Sequence, residues 1–444
     1  MMEGALQPRQ TTVPSPGTAA FLEHLFPAPR DFSIRIGGGE VLPASGRASF
    51  TLVIRSEHVL RSIFRPPVEA SLGNAFLRGD LEVEGDICSV FPLVEACRTA
   101  ARSPRNLYSL ASLWRSLPPG NPVGPFEPRE APSLRGIRHT EERDQAAIRY
   151  HYDLGNEFFE LFLDRRMVYS AGYFRTREDD LDTAQEQKLE HVCRKLRLRP
   201  GNRLLDVGCG WGALLIYAGE RFGVEGVGIT LSERQRDLAV ERVANAGLAD
   251  RIEIRIQDYR DLDSGTFDRI SSIGMFEHVG RARMPEYFAR VRDALRPGGL
   301  FLNHGISRDA TAPARTVGTV LRDPLNHLIV GTSPITRYVF PDSELLPLSE
   351  VNLAGERSGL EVRDVENLRE HYDLTLRHWI ARLDEKKEKA MTLVGAPTWR
   401  AWRLYFAASA YRFTIGRISV NQTLFAKPDR GRTGVPLTRA DIYR

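Results

Sequence analysis

The sequence predicts an α/β fold, a doubly wound and mainly parallel sheet with a small N-terminal α+β domain. Three observations predict it. From about residue 141 onward, apolar strand-like runs alternate with helical ones. One of those strands, in RLLDVGCGWG (203–212), runs directly into a glycine turn. A shorter region, 21–102, shows its own two-residue alternation.

The first twenty residues, MMEGALQPRQTTVPSPGTAA, lack a basic stretch followed by an apolar one and read as a flexible leader. In 21–102, SFTLVIRS (49–56) alternates as a half-buried strand does. RGDLEVEGDI (78–87) repeats the pattern at Leu81, Val83 and Ile87, and SVFPLVEACRTA (89–100) reads as helical. Residues 103–140 hold Pro104, Pro118, Pro119, Pro122, Pro125, Pro128 and Pro132, a density that disfavours regular structure and marks a linker. LYSLASLW (107–114) could anchor that linker as a short helix.

The region 141–444 carries the strand–helix series. After the strand of 203–212 come a helix in ALLIYAGERFG (213–223), a strand in VEGVGIT (224–230) and a helix in SERQRDLAVERVANAG (232–247). RIEIRIQDY (251–259) and FDRISSIGMF (267–276) are the next strands. ARMPEYFARVRDALRPGG (282–299) sets Tyr287, Phe288, Val291 and Leu295 on one helical stripe ending at Pro-Gly-Gly, and LFLNHGI (300–306) is a further strand.

Composition excludes several classes. The chain has 444 residues, 42% hydrophobic and 27% charged, as globular domains do. No run of eighteen apolar residues predicts a membrane-spanning helix. Four cysteines (Cys88, Cys97, Cys193, Cys209) show no metal-ligand spacing and the histidines do not cluster, so no metal is expected. A net charge of +4, with only six lysines among 61 basic residues, reflects either genomic base composition or attraction to an anionic surface. No basic run interleaved with aromatics points to nucleic acid.

In a doubly wound sheet, ligands bind at the carboxyl ends of the strands. The first strand brings Asp206, Gly208, Gly210 and Gly212 there, with Trp211 in the same turn. The spacing is GxGxG, and no GK[ST] follows, so a pyrophosphate loop is not indicated. The next strand ends at Thr230-Leu231, with Gln235 beyond it, and the third at Gln257-Asp258-Tyr259. These groups provide hydrogen bonds for a ribose, an acceptor for an adenine amine and a ring to stack on. Together they suit an adenosyl ligand without phosphates, S-adenosylmethionine. One strand later, GMFEHVG (274–280) places Glu277 beside His278. Alternation along a strand would point the two side chains oppositely, which makes His278 a packed or hydrogen-bonded support.

The segments HYDLGNEFFELFLDRRMVYSAGYF (151–174), RLLDVGCGWG, GITLSERQ (228–235), QDYRDL (257–262), FDRISSIGMFEHVG, RYVFPDSELLPLSEV (337–351) and HYDLTLRHW (371–379) resemble the cyclopropane-fatty-acyl-phospholipid synthase and mycolic acid cyclopropane synthase family, in order from about 141 to 428. The resemblance implies a Rossmann-like class I methyltransferase sheet, with 21–102 similar to a lipid-binding domain. It implies methyl transfer from S-adenosylmethionine to the double bond of a phospholipid acyl chain, forming a cyclopropane ring. Cofactor contacts then fall on Tyr169, Ser170, Gly208, Gly210, Thr230, Leu231, Gln235, Asp258 and Tyr259. The family also holds a bicarbonate ion near the reacting methyl. Its contacts match Glu277, His304 and Tyr372, with Ile306 and Ala171 contributing backbone, and Glu277, His304 and Tyr372 become the catalytic set. Family sequences usually carry cysteine where this chain has Ala171, and 308–334 look longer than in the bacterial prototype.

The resemblance further implies work at a bilayer surface, hence a cytoplasmic protein peripheral to the inner face of the membrane, and family members are often dimers. NEFFELFLDRRMVY (156–169) and TWRAWRLYFAASAYRF (398–413) are the aromatic stretches open to membrane, lid or core readings. Alternatives are a methylene- or methyl-branched product, N-methylation of a small molecule, and a non-catalytic lipid-binding protein.

Overall fold

The computed structural model describes residues 14–94, 103–120, 140–311 and 344–443. The long segment 308–334 lies mostly outside the described residues, as do Cys97, residues 121–139 of the linker, and the start of RYVFPDSELLPLSEV. The described residues fall into two compact units. One holds those before residue 131 together with Gly395–Tyr411, and the other holds 140–311, 344–394 and 412–443.

The first unit contains a four-stranded sheet in the order β2-β1-β3-β4, built from β1 (Phe32–Ile36), β2 (Gly39–Leu42), β3 (Phe50–Ile54) and β4 (Leu81–Gly85). β1 runs parallel to β3, and the other pairings are antiparallel. The two strands read from alternation are β3 and β4. The unit also contains β1, β2 and the helix Pro16–Leu25, which Ser15 caps by accepting from the Thr18 N–H. LYSLASLW lies in the helix Pro104–Ser116.

The second unit is built on a seven-stranded sheet in the order β10-β11-β9-β8-β5-β6-β7. Its strands are β5 (Arg203–Val207), β6 (Glu225–Thr230), β7 (Ile252–Ile256), β8 (Phe267–Ile273), β9 (Leu295–Arg308), β10 (Glu361–Asn367) and β11 (Ile418–Ala426). β5 through β9 run parallel, and β11 inserts antiparallel between β9 and β10. Successive residues face opposite layers, as Leu204 and Leu205 show. Leu204 belongs to the core cluster that holds Leu189, Leu214, Leu215 and Val243, and Leu205 to the one that holds Tyr287, Phe288, Val291 and Val351. Helices thus cover both faces, and strand order reverses between β5 and β8.

Two boundaries differ from expectation. The helix predicted over 282–299 spans Met284–Ala294, and β9 begins at Leu295, running through Arg296-Pro297-Gly298-Gly299. Proline pushes the residue before it into extended backbone, so the chain leaves the helix early. β8 ends at Ile273 because Gly274 turns left-handed (φ +71°), and Phe276–His278 form a 3-10 turn.

The aromatic stretches are core. Phe158, Phe159 and Phe162 of the first are fully buried, as are Trp399, Trp402 and Phe406 of the second. Among the described residues no helix is long and apolar enough to cross a membrane, and no group of three metal-binding side chains gathers.

Candidate functional site

A cleft of about 1100 Å³, counting its solvent-open mouth, lies at the carboxyl ends of β5, β6, β7 and β8. Its floor is the turn after β5, where Gly208, Gly210 and Gly212 all have positive φ. Both Gly208 N–H and Cys209 N–H donate to Ile229 O, at 2.9 and 3.0 Å, tying the turn to β6. A side chain at Gly210 would meet no protein atom within 4 Å, so the backbone there is open to a ligand.

Thr230, at the end of β6, donates its hydroxyl to Gln235 Oε1 (2.8 Å) and accepts from the Ser232 N–H (3.2 Å). Ser232 caps the helix Glu233–Asn245 by accepting from the Gln235 N–H. After β7, Asp258 binds the Arg260 guanidinium at 2.9 Å, and Arg260 also holds Asp144 at 2.8 Å. Arg260 lies 4.8 Å from the Tyr259 ring centroid. Trp211 donates its indole N–H to Asn156 Oδ1 at 2.9 Å.

Of the sequence-assigned cofactor residues, Tyr169, Ser170, Asp206, Gly208, Gly210, Trp211, Thr230, Leu231, Gln235, Asp258 and Tyr259 line this cleft, and Gly212 does not. Gly212 instead caps the helix Ala213–Phe222 in left-handed conformation. His278 also lines the cleft. The alternation used to turn it away fails because residues 276–278 form a 3-10 turn and not a strand.

Tyr152, Lys188 and Asp144 line the cleft too, and none was singled out from sequence. Tyr152 sits inside the quoted HYDLG segment. Lys188 lies on the helix Leu181–Lys195, where lysine ordinarily reads as a solvated position.

A second cluster lies at the ends of β8 and β9. Glu277 is buried, and its Oε1 accepts from the Ile306 N–H at 2.7 Å. His304, two residues earlier on β9, is 1% exposed, and its Nδ1 pairs with the Gln422 amide nitrogen at 3.2 Å. That amide donates, so the neutral imidazole carries its proton on Nε2. Among the described residues, neither Glu277 Oε2 nor His304 Nε2 has a hydrogen-bond partner, though both are buried. Burial pushes the Glu277 carboxyl up to about 7, against the Ile306 hydrogen bond. Burial, helped by the charges of Lys188 and Lys195, pushes His304 down to about 3.

Tyr372 stands on the helix Arg369–Glu385, whose approach is pinned to β11 by Leu368 N–H donating to Val420 O (2.8 Å). Val420 pairs with Ile306, so the helix begins beside the Glu277 contact. Ala171 is fully buried, and the residues after it are fastened to the same helix. Gly172 N–H donates to Thr375 Oγ1 (2.9 Å) and Phe174 N–H to His371 Nδ1 (3.0 Å). Tyr169, in the cleft wall, packs 5.1 Å from Trp379, which lies 6.0 Å from Tyr372. The sequence-assigned set is thus joined as Glu277–Ile306–His304 on one side and Ala171–Tyr372 on the other, with an aromatic chain leading to the cleft.

The family model for mycolic acid cyclopropane synthetase matches residues 139–423. The chain belongs to that family. A probable fatty acid methyltransferase of Pseudomonas putida is 40% identical over 399 residues, covering 89% of this chain and 91% of that one. The cyclopropane-fatty-acyl-phospholipid synthase of Escherichia coli K12 is 36% identical over 278 residues, 62% of this chain and 66% of the relative. Among solved structures, the mycolic acid cyclopropane synthase CmaA1 complexed with SAH and CTAB shares 33% identity at a TM-score of 0.57, covering 63% of this chain and 97% of its own. The seven-stranded sheet is that of the class I methyltransferases, and the chain is an S-adenosylmethionine-dependent methyltransferase of the cyclopropane and fatty acid methyltransferase group.

Proposed function

We propose that the chain transfers a methyl(ene) group from S-adenosylmethionine to the double bond of an unsaturated acyl chain in a phospholipid, closing a cyclopropane ring. The observation that carries this reading is the pair of unpartnered buried atoms, Glu277 Oε2 and His304 Nε2, at strand ends adjoining the cofactor cleft. A buried polar atom without a protein partner calls for a water, an ion or a ligand to complete it, and these two belong to one cluster beside the cleft. A neutral histidine offers a donor, and a carboxyl that titrates near 7 offers either a donor or an acceptor. That donor set fits a small amphiprotic anion, and bicarbonate is one.

When bound, S-adenosylmethionine supplies an electrophilic methyl on a sulfonium, and bicarbonate supplies a base. Methylating an alkene leaves a cation on the neighbouring carbon, so the site must exclude water, tolerate positive charge and remove a proton. Tyr169, Trp379, Tyr372 and Phe413 are linked in ring contact, an aromatic wall whose faces would favour a cation. Glu277 and His304 would hold the anion, and Tyr372 stands on the helix fastened to the backbone of Gly172 and Phe174. Glu277, raised to about 7 by burial, can hold or release a proton at neutral pH.

An arginine-rich chain with net charge +4 is suited to docking on anionic phospholipid, and we place the acyl substrate there. A second reading, a methyl- or methylene-branched product from the same cation, is favoured by the fatty acid methyltransferase matched over 89% of the chain.

The test is mass spectrometry of vesicle lipids after incubation with S-adenosylmethionine, run with wild type and Glu277→Gln. Gain of one CH2 on unsaturated chains, located in a ring by fragmentation and abolished in the variant, supports cyclopropanation, and the same gain located in a branch supports the second reading. Unchanged lipid with wild type contradicts it.

A further inference from the structure

Lys188 is a buried ammonium that the reaction described above does not use. It is 2% exposed and lines the cofactor cleft. Among the described residues its one hydrogen-bond acceptor is Ser170 Oγ at 3.2 Å, and no carboxylate lies within 4.0 Å. A buried ammonium without an ion pair is costly and calls for an anionic partner.

The groups facing it do not meet that need. Asp164 is turned to its own loop, accepting from the N–H groups of Arg166 and Val168 at 2.9 and 2.8 Å. Asp206 Oδ1 is held by Ser271 Oγ at 2.7 Å. Cys193 on its own helix is kept a thiol by burial, and His304 is kept neutral in the same way. Nor is Lys188 needed to hold the adjacent backbone. Gln185, one turn earlier on the helix, already donates to Ser170 O at 2.8 Å.

S-adenosylmethionine presents three recognisable parts: an adenosine, a sulfonium and an amino-acid zwitterion. The ends of β6 and β7 carry the ring and hydroxyl groups suited to adenosine. A lysine repels both the sulfonium and the α-ammonium, so the α-carboxylate is the one part it attracts.

We propose that Lys188, with Ser170 beside it, holds the α-carboxylate of the methyl donor, an assignment that rests on the methyl-donor reading above. Asp206, an acid lining the same cleft, supplies the opposite charge for the α-ammonium, and the pair orients the zwitterion. Burial lowers the lysine to about 8 against the attraction of Asp164 and Asp206, so it is charged at neutral pH and remains sensitive to a nearby anion.

The experiment is calorimetric titration of wild type, Lys188→Met and Lys188→Gln with S-adenosylmethionine and with decarboxylated S-adenosylmethionine. Glutamine keeps a donor towards Ser170 and removes only the charge. Wild type should prefer the carboxylated ligand by about tenfold or more. Both variants should lose about 10- to 100-fold for it and less than about threefold for the decarboxylated one. Ligand-free Lys188→Met should melt no lower than wild type, since an unpaired buried charge has gone. Equal losses for both ligands would make Lys188 a mere support and overturn the assignment. So would a wild type that does not distinguish the ligands, a comparison that decides the matter even if neither variant folds. A wild type that binds neither ligand would instead remove the methyl-donor reading itself.

Discussion

Glu277 and His304 are both buried titratable groups, and their shifts make opposite predictions. Glu277 is raised from 4.5 to about 7, so the folded state binds its proton more tightly than the unfolded chain does. Its contribution to stability is complete below pH 4.5 and is lost as pH rises through 7, about 3 kcal/mol across that window. Glu277→Gln should therefore melt higher than wild type at pH 8, approach it near pH 4, and lose at least about 100-fold in methyl transfer. His304 is lowered from 6.5 to about 3, so its contribution is complete above 6.5 and lost as pH falls toward 3. Melting curves taken between pH 4 and 8 check both. Glu277 and His304 could be placed by matching motifs, because strand-end chemistry follows the order of the chain. Lys188, Tyr152 and His278 could not. A helical lysine reads as solvated, a tyrosine after histidine reads as packing, and His278 depends on a 3-10 turn that alternation does not foresee.

At the scale of elements, two features hold the second cluster together. Gly305 on β9 lies against Phe276, and a Cβ there would come 1.7 Å from Phe276 Cε1. Gly305→Ala must displace that ring and the turn that carries Glu277. The expected loss is about 1–3 kcal/mol in stability, with activity falling further than stability explains. The segment after Ala171 is clamped to the helix of Tyr372 through Thr375 and His371. Thr375→Val keeps the shape and leaves the buried Gly172 N–H unpaired, at about 1–3 kcal/mol. Because Thr375 lies outside the cofactor cleft, affinity for S-adenosylmethionine should hold while turnover drops, which titration beside a rate assay would show. The strand–helix series was legible because period-two and period-3.6 patterns persist over whole elements. Its boundaries at Ala294 and Ile273 were not, since each is decided by one proline or glycine. The aromatic stretches illustrate the reverse failure. Phe158, Phe159 and Phe162 carry the same sequence signal whether they face lipid or core, and only packing decides.

Across the whole molecule, the order β10-β11-β9-β8-β5-β6-β7 explains why one edge holds all the chemistry. Parallel strands deliver their carboxyl ends to the same side, and the reversal between β5 and β8 opens the cleft there. The fold class was readable at this level, but the grouping of Gly395–Tyr411 with the first unit was not, because it depends on contacts between segments distant in sequence. Excess arginine predicts that co-sedimentation with anionic vesicles weakens as salt is raised, with neutral vesicles as the control. The central claim concerns the fate of the transferred methyl. Methyl-trideuterated S-adenosylmethionine, turned over on unsaturated phospholipid vesicles, tests it through the deuterium count of the product, with fragmentation to tell a ring from a methylene branch. Ring closure through a base at Glu277, His304 and Tyr372 predicts two of the three deuteriums retained in a cyclopropane carbon. A product keeping all three would mean that no proton leaves that methyl, and would contradict the account.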